Sequence, residues 1–334
     1  MGTGCSTNEP GYDNTYALGL YESALRRTCV LPDIGIDETM LTYSGLNSNA
    51  ALQTYSDELA KTIPGYIEKV GAALGGLNAV PNAVGLGALV ISMILEIYVK
   101  STEGQTEDTY SMLRRVFGEE KASSVRDTMS EYLKRHQLYL NNDQRLRVEI
   151  RRLEPVLSLR ITALKNSLLT DNQMSSRGFK IWVNGAAFRL QMMIHEARID
   201  VKAGRDISNS VSTIGIATDQ YLNELGTLLE KYKEYKKTST QLEPSKELVC
   251  ANDACGVAVT NCIIRNTEIP NCYVHHRHET QSTCTGCDMM KYYMDQVFSK
   301  YEPILHLRTY FSDLRSNIDS LANQDSDFTV PSAA

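Results

Sequence analysis

The stretch Val70 to Val99 reads VGAALGGLNAVPNAVGLGALVISMILEIYV, and between Lys69 and Glu96 it carries no charged residue. A surface helix of a globular protein has an apolar and a polar face, whereas a segment apolar all round is buried on every side, by protein or by lipid. The break Asn78-Ala79-Val80-Pro81-Asn82 decides the shape of the stretch. Proline has no N–H to give a helix and disfavours helical geometry in the residue before it. The spacing therefore predicts a hydrophobic helical hairpin, with two arms joined at a turn of Asn78, Pro81 and Asn82. The second arm, Ala83 to Val99, has 17 residues, the lower edge of what crosses a bilayer's hydrocarbon core; the first, Val70 to Pro81, is too short to cross by itself. Gly71 and Gly75 form a small-xxx-small pair, and Gly85 and Gly87 add small surface, which lets helix backbones approach closely in lipid. The residues expected to enter a membrane are Val70, Leu74, Leu77, Val80, Val84, Leu86, Leu89, Val90, Ile91, Met93, Ile94 and Leu95. The same run equally suits the central core helix of a large bundle, and composition alone does not separate the two.

The flanks of this stretch read as helices. Ahead of it, Leu52, Tyr55, Leu59, Ile63, Tyr66 and Val70 recur at intervals of three or four, with Pro64 as a kink. Behind it come Tyr110 to Phe117, then Val125, Met129, Tyr132, Leu133, His136 and Leu140, with Gly118 at the junction. A long stripe follows from Leu146 to Leu168, in which Pro155 is expected to bend the helix rather than end it. Phe179, Trp182, Val183, Ala186, Leu190, Met193, Ala197 and Val201 make another. Val211, Ile214, Thr218, Tyr221, Leu225, Leu228, Tyr232 and Tyr235 alternate spacings of three and four as a heptad seam, suited to packing inside the molecule or against a partner helix. A last helix is expected from Asp288 to Ala322, kinked at Pro303.

The fold class is thus all-α, an elongated bundle of long helices. The segments expected are a loop-rich 1–48 with a short helix near Tyr16 to Thr28, a bundle over 49–240, a Cys-rich insert over 241–287, a helix over 288–322 that completes the bundle, and a polar, frayed tail over 323–334.

A formal charge of −6 and a pI near 5.6 argue against a nucleic-acid partner. No charged region followed by an apolar stretch and a cleavage site stands at the amino end, so no secretory signal is read there. Met1-Gly2-Thr3-Gly4-Cys5-Ser6 fits the pattern for myristoylation of Gly2, with Cys5 as a palmitate acceptor, and stable anchoring takes both chains. A chance match in a Gly-rich terminus is the other reading.

Six of the eight cysteines (Cys250, Cys255, Cys262, Cys272, Cys284 and Cys287) fall in one short segment. A disulfide-linked insert is the expectation, with connectivity open. Zinc is the rival, because Cys272, His275, His276, His278, Cys284 and Cys287 supply thiolate and imidazole at loosely suitable spacing. Disulfides place the protein outside the cytosol, whereas acylation places it on the cytoplasmic face of a membrane. His195-Glu196 begins a zincin-like motif, but Ile199 stands where the second His is required. No nucleophile elbow, phosphate loop or dinucleotide fingerprint is present. Neither a catalytic residue, a metal centre nor a cofactor is therefore expected.

The runs LNAVPNAVGLGALVISMILEIYVKS (77–101) and MLRRVFGEEKASSVRDTMSEYLKR (112–135) make residues 49 to about 240 similar to the family that groups cuttlefish cephalotoxin-like proteins with fish Rapunzel-like proteins. The resemblance implies a long helical bundle like that of α-helical pore-forming toxins, with the apolar segment in place of their membrane-inserting element. The leading expectation is a membrane-associated bundle that inserts the hairpin, with a bilayer and further copies of the chain as partners. The alternative is a non-enzymatic intracellular or structural protein that binds a partner helix through its heptad seam.

Overall fold

The computed structural model describes residues 10–102, 113, 116, 123–251, 254–277 and 289–331. The amino-terminal helices are α1 (Pro10–Leu25), α2 (Glu38–Ser44), α3 (Ser48–Thr62) and α4 (Tyr66–Ala73), followed by the short strand β1 (Ala79–Val80). Then come α5 (Leu86–Thr102), α6 (Ser124–Leu138), α7 (Asp143–Leu169), α8 (Ser176–Lys202) and α9 (Ser208–Ser239). Strands β2 (Thr240–Ala251), β3 (Ala254–Asn266) and β4 (Tyr273–Arg277) precede α10 (Met289–Lys300), α11 (Glu302–Ser316), α12 (Ile318–Ala322) and β5 (Phe328–Thr329). The protein is an all-α bundle, with strands in the minority.

Helix boundaries follow local chemistry. The Asp37 carboxylate accepts from the Thr39 amide at 2.9 Å, Ser123 Oγ from Arg126 at 3.3 Å and Asn142 Oδ1 from Arg145 at 3.0 Å, each satisfying a first-turn N–H that has no partner within its helix. Pro155 leaves α7 continuous over 27 residues. Pro64 does not kink a continuing helix: α3 ends at Thr62, and α4 restarts after Gly65 at φ 70°. The single helix expected over 288–322 is three, α10 to α12, and Pro303 sits in the first turn of α11, where its missing N–H breaks no bond.

The chain forms two compact units from discontinuous segments, so the unit boundary lies at Ile34/Gly35 rather than near 48. The larger unit comprises Gly35–Gln173, Arg177–Gly226 and Leu307–Ala334. Its core holds Trp182, Phe188, Tyr132 and Phe311, all fully buried, with Tyr221 edge-on to Trp182 at 5.8 Å. Within α8, Ile181 to Phe188 is buried at every position, on more faces than the one stripe read from spacing. Asn184 in that run accepts from the Asp37 amide at 2.9 Å and donates to the Gly35 and Lys180 carbonyls at 3.1 and 2.9 Å. Ion pairs sit at the margins, with Arg147 to Asp200, Arg189 to Glu154 and Lys165 to Glu224 each at 2.6 Å.

The smaller unit comprises residues 1–34, 174–176 and 227–306. Here the expectation of a loop-rich amino end fails, because α1 packs on α10 and against β3 and β4. Tyr16, Ala17, Leu20, Tyr21 and Ala24 are buried at helical spacing, and two of the five are alanines, which a reading by large apolar residues passes over. The antiparallel sheet has the order β2-β3-β4, with Cys250 across from Cys255. Lys236, wholly buried, pairs with Glu268 at 2.9 Å, and the same carboxylate accepts from the Ser176 amide at 3.0 Å and Tyr235 Oη at 2.9 Å. The heptad seam of α9 is itself buried within the chain, at Ile214, Thr218, Tyr221, Leu225, Leu228 and Tyr232.

Cys272 is disulfide-bonded to Cys29, with Cα atoms 5.9 Å apart, and not to a cysteine of the insert. Cys262 is also disulfide-bonded. His276 bonds Ser23 Oγ through Nδ1 at 2.9 Å and meets the Tyr16 ring edge-on at 5.3 Å. With Cys272 oxidised, the zinc set loses a ligand. Gly2, Cys5, His278, Cys284 and Cys287 lie outside the described residues.

Candidate functional site

The apolar segment and the polar groups around its start form the site, all within the larger unit. The segment is not helical up to Pro81. Helix α4 ends at Ala73, Gly75 and Gly76 take φ of 69° and 79°, and Ala79–Val80 pairs as β1 with β5, in the register Ala79 to Thr329 and Val80 to Phe328. Consecutive left-handed glycines end the helix, and the extended residue that Pro81 demands is used in the strand pair. The expected frayed tail is therefore ordered as far as it is described: Phe328 is fully buried, and the Ala83 amide donates to the Ser326 carbonyl at 3.0 Å.

Helix α5 packs against α2, α3, α4 and α6. Of the residues expected to enter a membrane, Val70, Leu74, Val80, Val84, Leu86, Leu89, Val90, Ile91, Met93, Ile94 and Leu95 are buried in protein, and Leu77 is half-buried. Ser92, the polar residue of the run, donates to its own helix at Leu89 O, 2.8 Å. Among the described residues, no helix is long and apolar enough to cross a membrane.

The turn residues part company. Asn78 accepts from the Val330 amide at 3.0 Å, and Asn82, buried at φ 53°, donates to Asp143 Oδ2 at 3.1 Å. Gly85 follows at φ 53°, its amide donating to Ser48 Oγ at 2.7 Å. Asn49 Nδ2 reaches the carbonyls of Ala83 and Asp327 at 3.0 and 3.2 Å. The centre of this clasp is Arg198, which is 1% exposed. Its guanidinium donates to Leu321 O at 2.6 Å, Val84 O at 3.2 Å and Gln324 Oε1 at 3.0 Å. Gln324 Nε2 in turn donates to Leu46 O at 2.6 Å. Carbonyl dipoles hold this cation, and burial pulls its pKa down to about 9.

Glycines 85 and 87 are built into this clasp. A Cβ on Gly85 would overlap the Arg198 guanidinium, and one on Gly87 the Asn82 carbonyl oxygen. At Gly71 and Gly75, by contrast, a Cβ meets nothing within 4 Å.

Behind Gly87 lie two wholly buried histidines, His136 of α6 and His195 of α8, with ring centroids 4.9 Å apart. His136 Nδ1 is 3.2 Å from Tyr132 Oη, and neither ring nitrogen of His195 has a hydrogen-bond partner. Burial pushes His136 down to about 3. His195 is held well below the usual histidine range by burial first, then by His136 and Arg198. Both rings are neutral at pH 7. Sequence reading does not single out Arg198, Ser48, Asn49 or Gln324, and it gives His136 only as a member of the α6 stripe. The available signal is His195 and Arg198 standing three residues apart, so that both fall on one face of α8. Glu196, next to His195, faces outward and accepts from Arg151.

Comparison of the chain with protein-family models, with curated proteins and with solved structures finds no match.

Proposed function

We propose that the protein is a non-enzymatic, membrane-acting helical bundle that stores its apolar segment as the core helix α5 and delivers it to a bilayer when the clasp opens. The observation that carries this reading is the cluster His136, His195 and Arg198 against the start of α5, three buried ionisable side chains with no carboxylate bonded to any of them among the described residues. A core selected for stability alone disfavours such groups, because each is costly to bury charged. Buried neutral imidazoles make the packing firm at neutral pH and weak in acid, the behaviour of a releasable element. The likeness of Leu77–Ser101 and Met112–Arg135 to cephalotoxin-like proteins runs in the same direction. The Cys29–Cys272 bond favours an oxidising compartment, hence the secreted route over an acylated one.

Helix α5 has 17 residues, about 25 Å at 1.5 Å per residue, against a hydrocarbon core of about 30 Å. Residues 80–85 must then join the helix on insertion, which needs β1 and the Arg198 contacts to release. Vesicle leakage at pH 7.5 and 5.0 tests this: dye release is expected in acid from anionic liposomes, and at both pH values from a chain cut after Ala322. Intact vesicles in all four conditions would return the segment to the role of ordinary core.

A second reading, a binding or structural protein, is favoured by the absence of a membrane-crossing helix among the described residues. It is the reading left if vesicles stay intact.

A further inference from the structure

In the larger unit, a cleft of about 240 Å³ opens between α2, α8, α11 and α12. An apolar cavity of about 150 Å³ holds benzene, so this cleft has room for one ring with a short substituent. Its walls are Leu41, Leu46, Leu314 and Leu321. Leu41 and Leu46 are 43% and 48% exposed, apolar surface at the rim that an occupant would cover. The polar part is Gln191, which is 98% buried by its 2% exposure, and whose Oε1 has no hydrogen-bond partner. Tyr310 Oη makes a side-chain hydrogen bond with the Gln191 amide, which leaves Oε1 unmatched, and lies 3.5 Å from Ser44 Oγ, at the outer limit of a hydrogen bond.

A buried amide oxygen without a partner costs stability unless something in the cleft meets it. A half-turn of the Gln191 side chain exchanges its oxygen and nitrogen, so the group that fits must both donate and accept. A hydroxyl does both. Asp313 lines the same cleft and disfavours an anionic group there. We propose that this cleft is a binding site for a small, uncharged, ring-bearing alcohol or phenol, with the ring between the leucines and the hydroxyl on Gln191 and Tyr310. The cleft shares Leu46 and Leu321 with the clasp but takes in no residue of the apolar segment, and the inference does not depend on membrane insertion.

The test is a saturation-transfer NMR titration of the full chain at pH 7.5 with 4-ethylphenol and with ethylbenzene, which has the same body without the hydroxyl. The phenol is expected to bind about tenfold tighter or more, the effect of one buried hydrogen bond made rather than lost. In Gln191→Leu the two probes should come within about twofold, and Leu41→Trp, a change at an exposed helix position, should weaken both by filling the cleft. No transfer from 4-ethylphenol at about 1 mM, or an unchanged preference in Gln191→Leu, overturns the assignment. Should Gln191→Leu not fold, the parent's preference for the phenol, together with its loss in Leu41→Trp, decides the matter.

Discussion

Acid should unfold the larger unit in a pH window set by His136 and His195. In an unfolded chain each imidazole titrates near 6.5. In the native protein His136 titrates at about 3 and His195 also lies far below its usual range, because both rings are buried. The native pKa values are lowered, so below pH 6.5 the unfolded chain takes up protons that the native state refuses. The stability tied to these groups is complete above pH 7 and is lost as pH falls through 6.5 toward 3. Between pH 7.5 and 5.0 His136 accounts for about 2 kcal/mol, at 1.36 kcal/mol per pH unit, and His195 adds a loss of the same sign. Asp200 and Glu268, whose pKa values are held low against burial by Arg147 with Arg205 and by Lys236 with Ser176, lose their contribution only as pH falls through the ordinary carboxylate range, below the interval from pH 7.5 to 5.0. Urea unfolding followed by fluorescence of Trp182, the one tryptophan and fully buried, reads this directly. His195→Phe, which replaces a ring without hydrogen-bond partners by an apolar one, should reduce the pH slope at little or no cost at pH 7.5. An unfolding free energy equal at pH 7.5 and 5.0, or a full slope retained in His195→Phe, refutes the reasoning.

Three further outcomes are expected. Gly85→Ala should cost about 2 to 4 kcal/mol, from a positive φ plus a clash with Arg198, and Gly87→Ala should be at least as severe because the obstacle is backbone. Gly71→Ala, in open space on α4, should instead stabilise by about 0.5 to 1 kcal/mol, all three being read from urea midpoints. Leu89→Asp places a carboxylate at a fully buried position of α5 and should cost at least about 4 kcal/mol, seen as lost cooperative melting in circular dichroism. Non-reducing peptide mapping should recover Cys29 linked to Cys272, and replacing both by Ser should lower stability by about 2 to 5 kcal/mol.

Much of the helical layout is legible along the chain. The stripes of α3, α6, α7 and α9 appear at the predicted places, because an amphipathic helix writes its buried face into the sequence at a period of 3.6. Where small residues make the contact the stripe fades, as at Ala17 and Ala24 of α1. Polar spelling misled at the carboxyl end: residues 323–331 look frayed, yet Gln324 and Phe328 close the clasp through partners more than a hundred residues away.

By itself, the sequence determined that Val70 to Val99 has to be surrounded by apolar matter, and that Pro81 breaks it. Both follow from local chemistry, the lack of charge and the missing N–H. Tertiary structure decided what surrounds it. Burial of α5 by α2, α3, α4 and α6, the pairing of β1 with β5, the bond from Cys29 to Cys272 and the meeting of His136, His195 and Arg198 join residues remote along the chain. Each is set by which complementary surface the folded chain brings near, and hydrogen bonds, disulfides and desolvation act over distances that no local period records.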